Sequence, residues 1–467
     1  MPVGKGVAAR RAYPEKLGDA LTLSGKTVAL VYPAWHSCGT HQVLVGQTRT
    51  YRRLGAKVIS IALMDAITPS SGRGARWRDY RSKSRDLAVD QRHETSARFS
   101  DFLTTALLKD GWWPLIHGDQ ATWLLELARR APLPAGLNVD EIDLIHANHF
   151  FVLPLVERML EKRRVPVLLD THDIQARQYE LRNRAEFFIP PYTRYDEMLA
   201  VELDWTRRAD VCVHINAEEH ATFSRLLPTS RHELIYPSIA PASSHEAIGS
   251  RAMLVASNNA ANYLSVRWFL KNVLPRAPQT PVSILGDIDK GVKRNDRKLY
   301  EKHRDLFKGR VGDIQAAYAD AAVVLLPTTE GHGLSIKTVE AMSTGLPLVA
   351  TSMAFRGMGI DPARLRNVFI ADDAIAFATA MLRAMGERGD PIASDTRALY
   401  EERFSSDGYA SRLGEIAIKL MGAVSKDGSL SPRRSLARYD EQERLSETTR
   451  NQIAPVLSKR RQISKAR

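Results

Sequence analysis

The sequence predicts an α/β protein built from two Rossmann-like, doubly wound domains that face each other across a cleft. Three observations lead there. At 467 residues the chain exceeds one ordinary core, and two domains of roughly 150–250 residues are expected. Short apolar, β-branched runs recur at the spacing of strand–helix–strand units, and continuous apolar strands belong to parallel sheets covered on both faces. A Pro-, Ser- and Ala-rich stretch, 237–250 (PSIAPASSHEAIGS), interrupts that rhythm before it restarts, as an interdomain linker does.

The first strand is read at 27–33 (TVALVYP), followed by a turn at 34–40 and a helical stretch to Arg53 closed by Leu54–Gly55. A second strand follows at 57–63 (KVISIAL), completing a βαβ opening. Residues 64–118 are rich in Arg and Ser and carry Trp77, Tyr80, Trp112 and Trp113; they read as loops and one helix around 96–109. Strands resume at 142–147 (IDLIHA), 165–170 (VPVLLD) and 211–215 (VCVHI). The second half places strands at 253–256, 282–285, 323–326, 347–351 and 368–370, with an amphipathic helix at 265–273. The expected organisation is an N-terminal extension over 1–26, a first domain over 27–240, a linker at 241–252 and a second domain over 253–405. A helix at 406–424 is expected to return to the first domain, and a basic flexible tail to occupy 425–467.

Lys and Arg total 66 against 53 Asp and Glu, a net charge of +13, which suits an anionic partner such as a nucleotide phosphate or a membrane surface. No helix-turn-helix, zinc or RNA-binding motif supports nucleic acid as that partner. The two cysteines, Cys38 and Cys212, make neither a disulfide framework nor a metal motif. The longest apolar runs fall far short of the roughly 20 residues that span a bilayer, and the N-terminus has no apolar signal region. A cytoplasmic location is expected, with a peripheral place on the inner face of a membrane left open.

Residues 322–351 (AVVLLPTTEGHGLSIKTVEAMSTGLPLVAT) carry the chemistry. A strand ends at Pro327, a turn holds Gly331 and Gly333, and a helix starts near Leu334–Ser335 and ends at Gly345. Glycines there let a backbone approach a ligand closely, and the helix start offers free N–H groups and a positive dipole end to a diphosphate. Lys337 adds a full charge one turn in. Glu340, on the same helix face, can accept hydrogen bonds from ribose hydroxyls.

The pattern Gly331-x-Gly333-x3-Lys337-x2-Glu340-Ala341-Met342, followed by Gly345-x-Pro347 and a strand, resembles the C-terminal donor motif of GT-B glycosyltransferases. It is most similar to the large retaining group known as glycosyltransferase family 4. Many members have two glutamates separated by seven residues; here His332 stands at the first position, and the chain is similar to the subgroup with the glycine and lysine version. Residues 254–277 and 309–327 resemble the two strand–helix units that precede the motif. The family's Arg and Lys pair is replaced by Asn258 and Asn259, and backbone near Val311 is expected to face the base.

In the first domain the loop after strand one retains Gly39 and Thr40 of a segment that, in the family, touches the donor phosphate; a plain N-cap turn is the alternative. His36 and His41 read as loop and surface residues. The family frequently places a histidine at the end of the strand at 142–147, where His146, Asn148 and His149 compete for that position. His172 and Asp173, at the end of the next strand, are candidates for the acceptor side, with an Asx-turn or N-cap as the alternative. Asp287-Ile288-Asp289 looks like the metal-binding motif of a different transferase fold and reads instead as an acidic turn. The stretch from Arg73 to Tyr80, with Trp112–Trp113, is either an acceptor or membrane contact or core aromatics with solvated arginines.

The resemblance implies a retaining, metal-independent transfer of a sugar from a nucleotide-sugar to an acceptor, which can be a lipid-linked or polysaccharide intermediate, with no cofactor. Lys337, His149 and Asn148 would serve catalysis. Gly39, Thr40, Asn258, Asn259, Val311, Gly331, His332, Gly333, Leu334, Ser335 and Glu340 would bind the donor. A nucleotide-sugar epimerase of the same fold and a non-catalytic carbohydrate-binding homologue are the rival readings.

Overall fold

Strand β1, Thr27–Pro33, lies at the centre of the first sheet and is buried along its whole length. Its residues alternate between two cores: Ala29 and Val31 face one side of the sheet, Val28, Leu30 and Tyr32 the other. The structure is a computed structural model that describes residues 22–36, 38–66, 74–98, 113–161, 163–184, 192–242, 249–312, 314–387 and 390–427. The expectations placed on 1–21, on Arg73 and Trp112, on linker residues 243–248, on the tail beyond 427 and on most of the helix around 96–109 lie outside these residues.

The first sheet has seven strands: β1, β2 (Lys57–Leu63), β3 (Gln91–Thr95), β4 (Leu144–Asn148), β5 (Val167–Asp170), β6 (Val211–His214) and β7 (His232–Leu234). Their order is β3-β2-β1-β4-β5-β6-β7, and every pairing is parallel. The second sheet has six: β8 (Arg251–Val255), β9 (Val282–Leu285), β10 (Phe307–Gly309), β11 (Ala321–Leu326), β12 (Leu348–Ala350) and β13 (Val368–Ile370). Its order is β10-β9-β8-β11-β12-β13, again all parallel. Each sheet reverses its winding next to its first strand, between β1 and β4 and between β8 and β11. A crevice opens at such a reversal beyond the carboxyl ends of the strands.

The expected α/β class and the paired doubly wound domains are therefore present. Three strands had no counterpart in the sequence reading: β3, β7 and β10. All three are sheet edges, where one side of the strand has no neighbour and no continuous apolar run is required. β3 reads QRHET and β7 reads HEL. The helix expected at 265–273 starts earlier, at Ala260, and continues past Trp268 as a π-helical turn over Phe269–Val273. Trp77 and Tyr80 are almost completely buried in the first-domain core, and the Tyr80 hydroxyl meets that of Tyr32 at 2.8 Å. Trp77 and Tyr80 are thus core aromatics, while Arg76 is exposed and lines the cleft between the domains, and Trp113 is 60% exposed.

The helix Ser406–Asp427 crosses back to the first domain. Tyr409, Leu413, Ile416, Ala417 and Leu420 recur at helical spacing and join the core that holds Leu30, Leu44 and Tyr51. The chain thus passes between the domains twice, after β7 and before this helix. Among the described residues no helix is long and apolar enough to cross a membrane.

Leu413 is fully buried at this contact. Leu413→Ala is expected to lower the unfolding free energy of the first domain by about 2–5 kcal/mol, read as an earlier urea transition by tryptophan fluorescence. An unchanged midpoint would show that the helix does not contribute to that core.

Candidate active site

The carboxyl ends of β1, β4 and β5 face those of β8, β9 and β11, and between them lies a cleft of about 820 Å³. The second-domain wall is set by the segment after β11. Gly331 and Gly333 hold φ of 141° and 70°, conformations that side chains disfavour, and a Cβ on Gly331 would sit 2.9 Å from the Arg356 Nη2. The helix Ile336–Thr344 then starts from Ser335 and stops at Gly345, which is left-handed at φ 72°. Val339, Ala341 and Met342 anchor it in the core, so its first turn is held rigidly at the cleft.

Lys337 lies in that first turn. Its Nζ is buried with no hydrogen-bond partner, and burial pushes the ammonium down to about 8, against the opposing pull of Glu340 and Asp287. Glu340 is also buried; its Oε1 has no partner, while Tyr318 hydrogen-bonds the carboxylate. Burial raises this carboxyl above its usual range. Buried polar atoms in folded proteins are almost always paired. A donor and an acceptor left unmet side by side on one cleft wall are suited to a ligand carrying an anion next to hydroxyls.

Most of the other expected donor residues converge on the same cleft. Asn258, Asn259, Val311, His332, Leu334 and Ser335 line it, as do Gly39 and Thr40 from the opposite domain. Asn259 is also the N-cap of the helix Ala260–Trp268, accepting from the Asn262 amide at 2.9 Å. The N–H of Gly333, expected to face a phosphate, instead donates to Glu219 of the first domain at 3.2 Å. The Thr338 and Val339 amides already donate to the Ser335 carbonyl, at 3.0 and 3.2 Å, so the first-turn donors left for a ligand are the amides of Ile336 and Lys337. Asp287 accepts the Asn258 amide at 2.9 Å and heads the helix Ile288–Asn295, the acidic turn the sequence suggested.

On the first-domain wall the three strand-end candidates separate. His146 points away, hydrogen-bonded to the Tyr51 hydroxyl at 2.9 Å. Asn148 does not line the cleft; it lies beneath it, its Oδ1 accepting from Gln47 at 3.1 Å and from the His172 Nε2 at 2.7 Å. A direct catalytic contact for Asn148 is thereby corrected to a positioning place, because strand alternation sends its side chain down among Gln47, Asp170 and His172. His149 does line the cleft. It sits at φ 66° and stacks on His172, itself at φ 57°, with ring centroids 4.4 Å apart. The amide of Gln175 faces its Nδ1 at 3.2 Å, so Nε2 carries the proton and reaches the Thr40 hydroxyl at 3.3 Å. Burial lowers this imidazole well below its ordinary range, so it is neutral.

Several residues had no signal in the sequence reading. Arg356, after β12, is half-buried against the glycine turn at 331–333 and donates to the His332 carbonyl at 3.0 Å. Glu219, from the helix Ala217–Leu226, is pushed up to about 8 by burial and then by the charge of Asp173. Asp173 is itself raised by burial and bound by Gln175 and Gln178. Trp35 packs edge-on against His149 and donates to Asp65 at 2.8 Å. Only an approach in space, not a spacing in sequence, brings these groups together. The domains touch at this end: a Cβ on Gly39 would lie 3.3 Å from Ile336, and one on Gly333 would lie 3.2 Å from Asp173.

The fold is shared with known proteins. Residues 250–387 match the family model described as Glycosyl transferases group 1. The fold is similar to that of HepE from Anabaena, solved with UDP and glucose, at 16% identity and a TM-score of 0.55, covering 85% of this chain and all of that one. It is similar to sucrose-phosphate synthase from Thermosynechococcus elongatus, at 14% identity and a TM-score of 0.56, with the same coverage. The UDP-forming α,α-trehalose-phosphate synthase from Burkholderia vietnamiensis gives 14% identity and 0.53, covering 84% of this chain and 99% of that one. A search of curated proteins finds no match.

A buried lysine at about 8 sets the sign of a pH dependence. The free protein loses this charge as pH rises through 8, so UDP affinity should fall by about tenfold per unit above it. In the ligand-free protein the sign reverses: the depressed value makes the fold gain stability between about 8 and the unfolded value of 10.5. Titration calorimetry with UDP at pH 7–10 checks the first effect. Lys337→Met should bind weakly with no such slope, and an equal slope in both proteins would place the titrating group elsewhere.

Proposed function

We propose that this chain, whose second domain is a group 1 glycosyl transferase domain, moves a sugar from a nucleotide-sugar to an acceptor with retention and without a metal. The observation that carries the reading is the unpartnered Lys337 ammonium, held at a helix start in the cleft beside the unpartnered Glu340 oxygen. In the transfer, the bond from the sugar C1 to the diphosphate oxygen breaks and the bond from C1 to the acceptor oxygen forms. The acceptor proton passes to the departing phosphate. Negative charge grows on that phosphate, and stabilising it is the largest catalytic contribution.

Lys337 and the first-turn amides supply that stabilisation with groups already in place, and no reorganisation is needed at the moment of reaction. Glu340 takes the ribose hydroxyls. His149, neutral and with its Nε2 proton directed to Thr40, holds the sugar from the opposite wall, while His172 and Asp173 border the acceptor side. Asn148 acts through His172. The contacts between Gly39 and Ile336 and between Gly333 and Asp173 narrow the cleft and help exclude water, whose attack would hydrolyse the donor.

The acceptor is proposed to be a sugar hydroxyl, free or on a lipid-linked or polysaccharide intermediate. Trp35, Asp65 and Asp173 offer that end of the cleft an aromatic face and carboxylates, which suit a carbohydrate. A cytoplasmic location with peripheral contact to an anionic membrane fits the net charge of +13.

Lys337→Ala is expected to lower turnover by roughly 10²–10³-fold, measured as nucleotide release with a panel of nucleotide-sugars and acceptors. Full turnover in that variant would refute the assignment. Glu340→Ala should weaken donor binding more than it slows transfer, and unchanged donor affinity would remove Glu340 from the ribose site. EDTA should leave wild-type turnover intact. Isomerised donor without nucleotide release would identify an epimerase instead.

A further inference from the structure

A second cavity, of about 580 Å³, lies on the hinge side of the helix Gly39–Arg53, and its walls are basic. Arg49 and Arg53 come from that helix, Lys83 from the first domain and Arg310 from the second, against one carboxylate, Asp86. Arg53 and Lys83 each have one ion-pair partner, Asp407 and Asp79, neither of which lines the cavity. Arg49, exposed at its mouth, lies near Asp86.

Both chain crossings between the domains border this cavity. Residues 238–241 belong to the first crossing, and Tyr400 and Ser406 flank the second. The helix approaches the first crossing so closely that a Cβ on Gly46 would meet the Ser238 carbonyl oxygen at 2.7 Å. Tyr400 ties the two crossings together by donating its hydroxyl proton to the Ile239 carbonyl. The cavity is thus built from groups whose relative positions are fixed by how the domains are joined.

One polar atom there lacks a partner. His41 is 6% exposed, and its Nε2 is bound to Asp86 at 2.9 Å, while Nδ1 is buried with no hydrogen bond. Three guanidinium groups and an ammonium from two domains line this one cavity against a single carboxylate, which matches the charge and the acceptor-only oxygens of a phosphate group.

We propose that this hinge cavity, which adjoins the donor cleft at Cys38, Gln42 and Arg310, is a second ligand site that takes a small phosphate-bearing molecule held by both domains. The shared chemistry is the phosphate group, as free phosphate or as a phosphate monoester. The proposal does not depend on the transferase reading.

The test is thermal unfolding of the full chain with saturating UDP, which fills the donor cleft, followed by inorganic phosphate or glucose 6-phosphate at 10 mM. Arg49 lines the hinge cavity and not the donor cleft, and it is exposed, so Arg49→Ala leaves the fold intact. Wild type should gain about 2 °C or more beyond the UDP value. The gain should fall by at least half in Arg49→Ala, return in Arg49→Lys, and leave the UDP shift itself unchanged. Equal gains from the two probes identify phosphate as sufficient, and a gain from the ester alone shows that the attached sugar contributes. No gain from either probe, or an undiminished gain in Arg49→Ala, overturns the proposal. Absence of any UDP shift would count against the donor-site reading and not against this one.

Discussion

A single ammonium group, placed inside the protein with nothing bound to it, constrains the site. Lys337 Nζ has lost its water and has no compensating hydrogen bond, so its position is paid for by the packing around it. That packing is specific. The helix Ile336–Thr344 is buried on nearly every side, fixed between β11 and β12 and stopped by Gly345, where a Cβ would run into the Pro391 carbonyl. A flexible helix would let the lysine swing out to water. A rigid one keeps it in the cleft, where under the proposed transfer it would meet the charge that develops on the departing phosphate.

The first domain answers with a different device. Its strand ends carry two histidines at positive φ, His149 and His172, an unfavourable conformation for residues with side chains. A buried polar floor of Gln47, Asn148 and Asp170 holds them there. Gln47 binds Asn148 and Asp170, Asn148 binds the His172 ring, and Asp170 accepts the His172 amide at 3.0 Å. The strained backbone turns His149 up into the cleft, while the residue before it points down. One chain segment thus supplies both a group that faces the ligand and the group that supports its neighbour.

Much of the fold was legible from the residues alone because buried parallel strands must be apolar throughout. The runs TVALVYP, KVISIAL, VSIL and VFI mark their strands with no displacement of either end. The edge strands QRHET and HEL escaped notice because an edge needs no such run. In the site, the lysine and glutamate stood out because three residues on a helix place both on one face. Arg356 and Glu219 did not, since each reaches the glycine turn at 331–333 from a distant segment, and no local spacing encodes that meeting. Asn148 and His149 could not be separated by strand alternation, because the left-handed turn at His149 breaks the alternation at the residue in question.

The most direct measurement is a crystal structure of the chain with UDP bound. This assignment predicts the diphosphate within hydrogen-bonding distance of Lys337 Nζ and the first-turn amides, with the ribose hydroxyls on Glu340. A diphosphate bound elsewhere, with Lys337 still unpartnered, would contradict it.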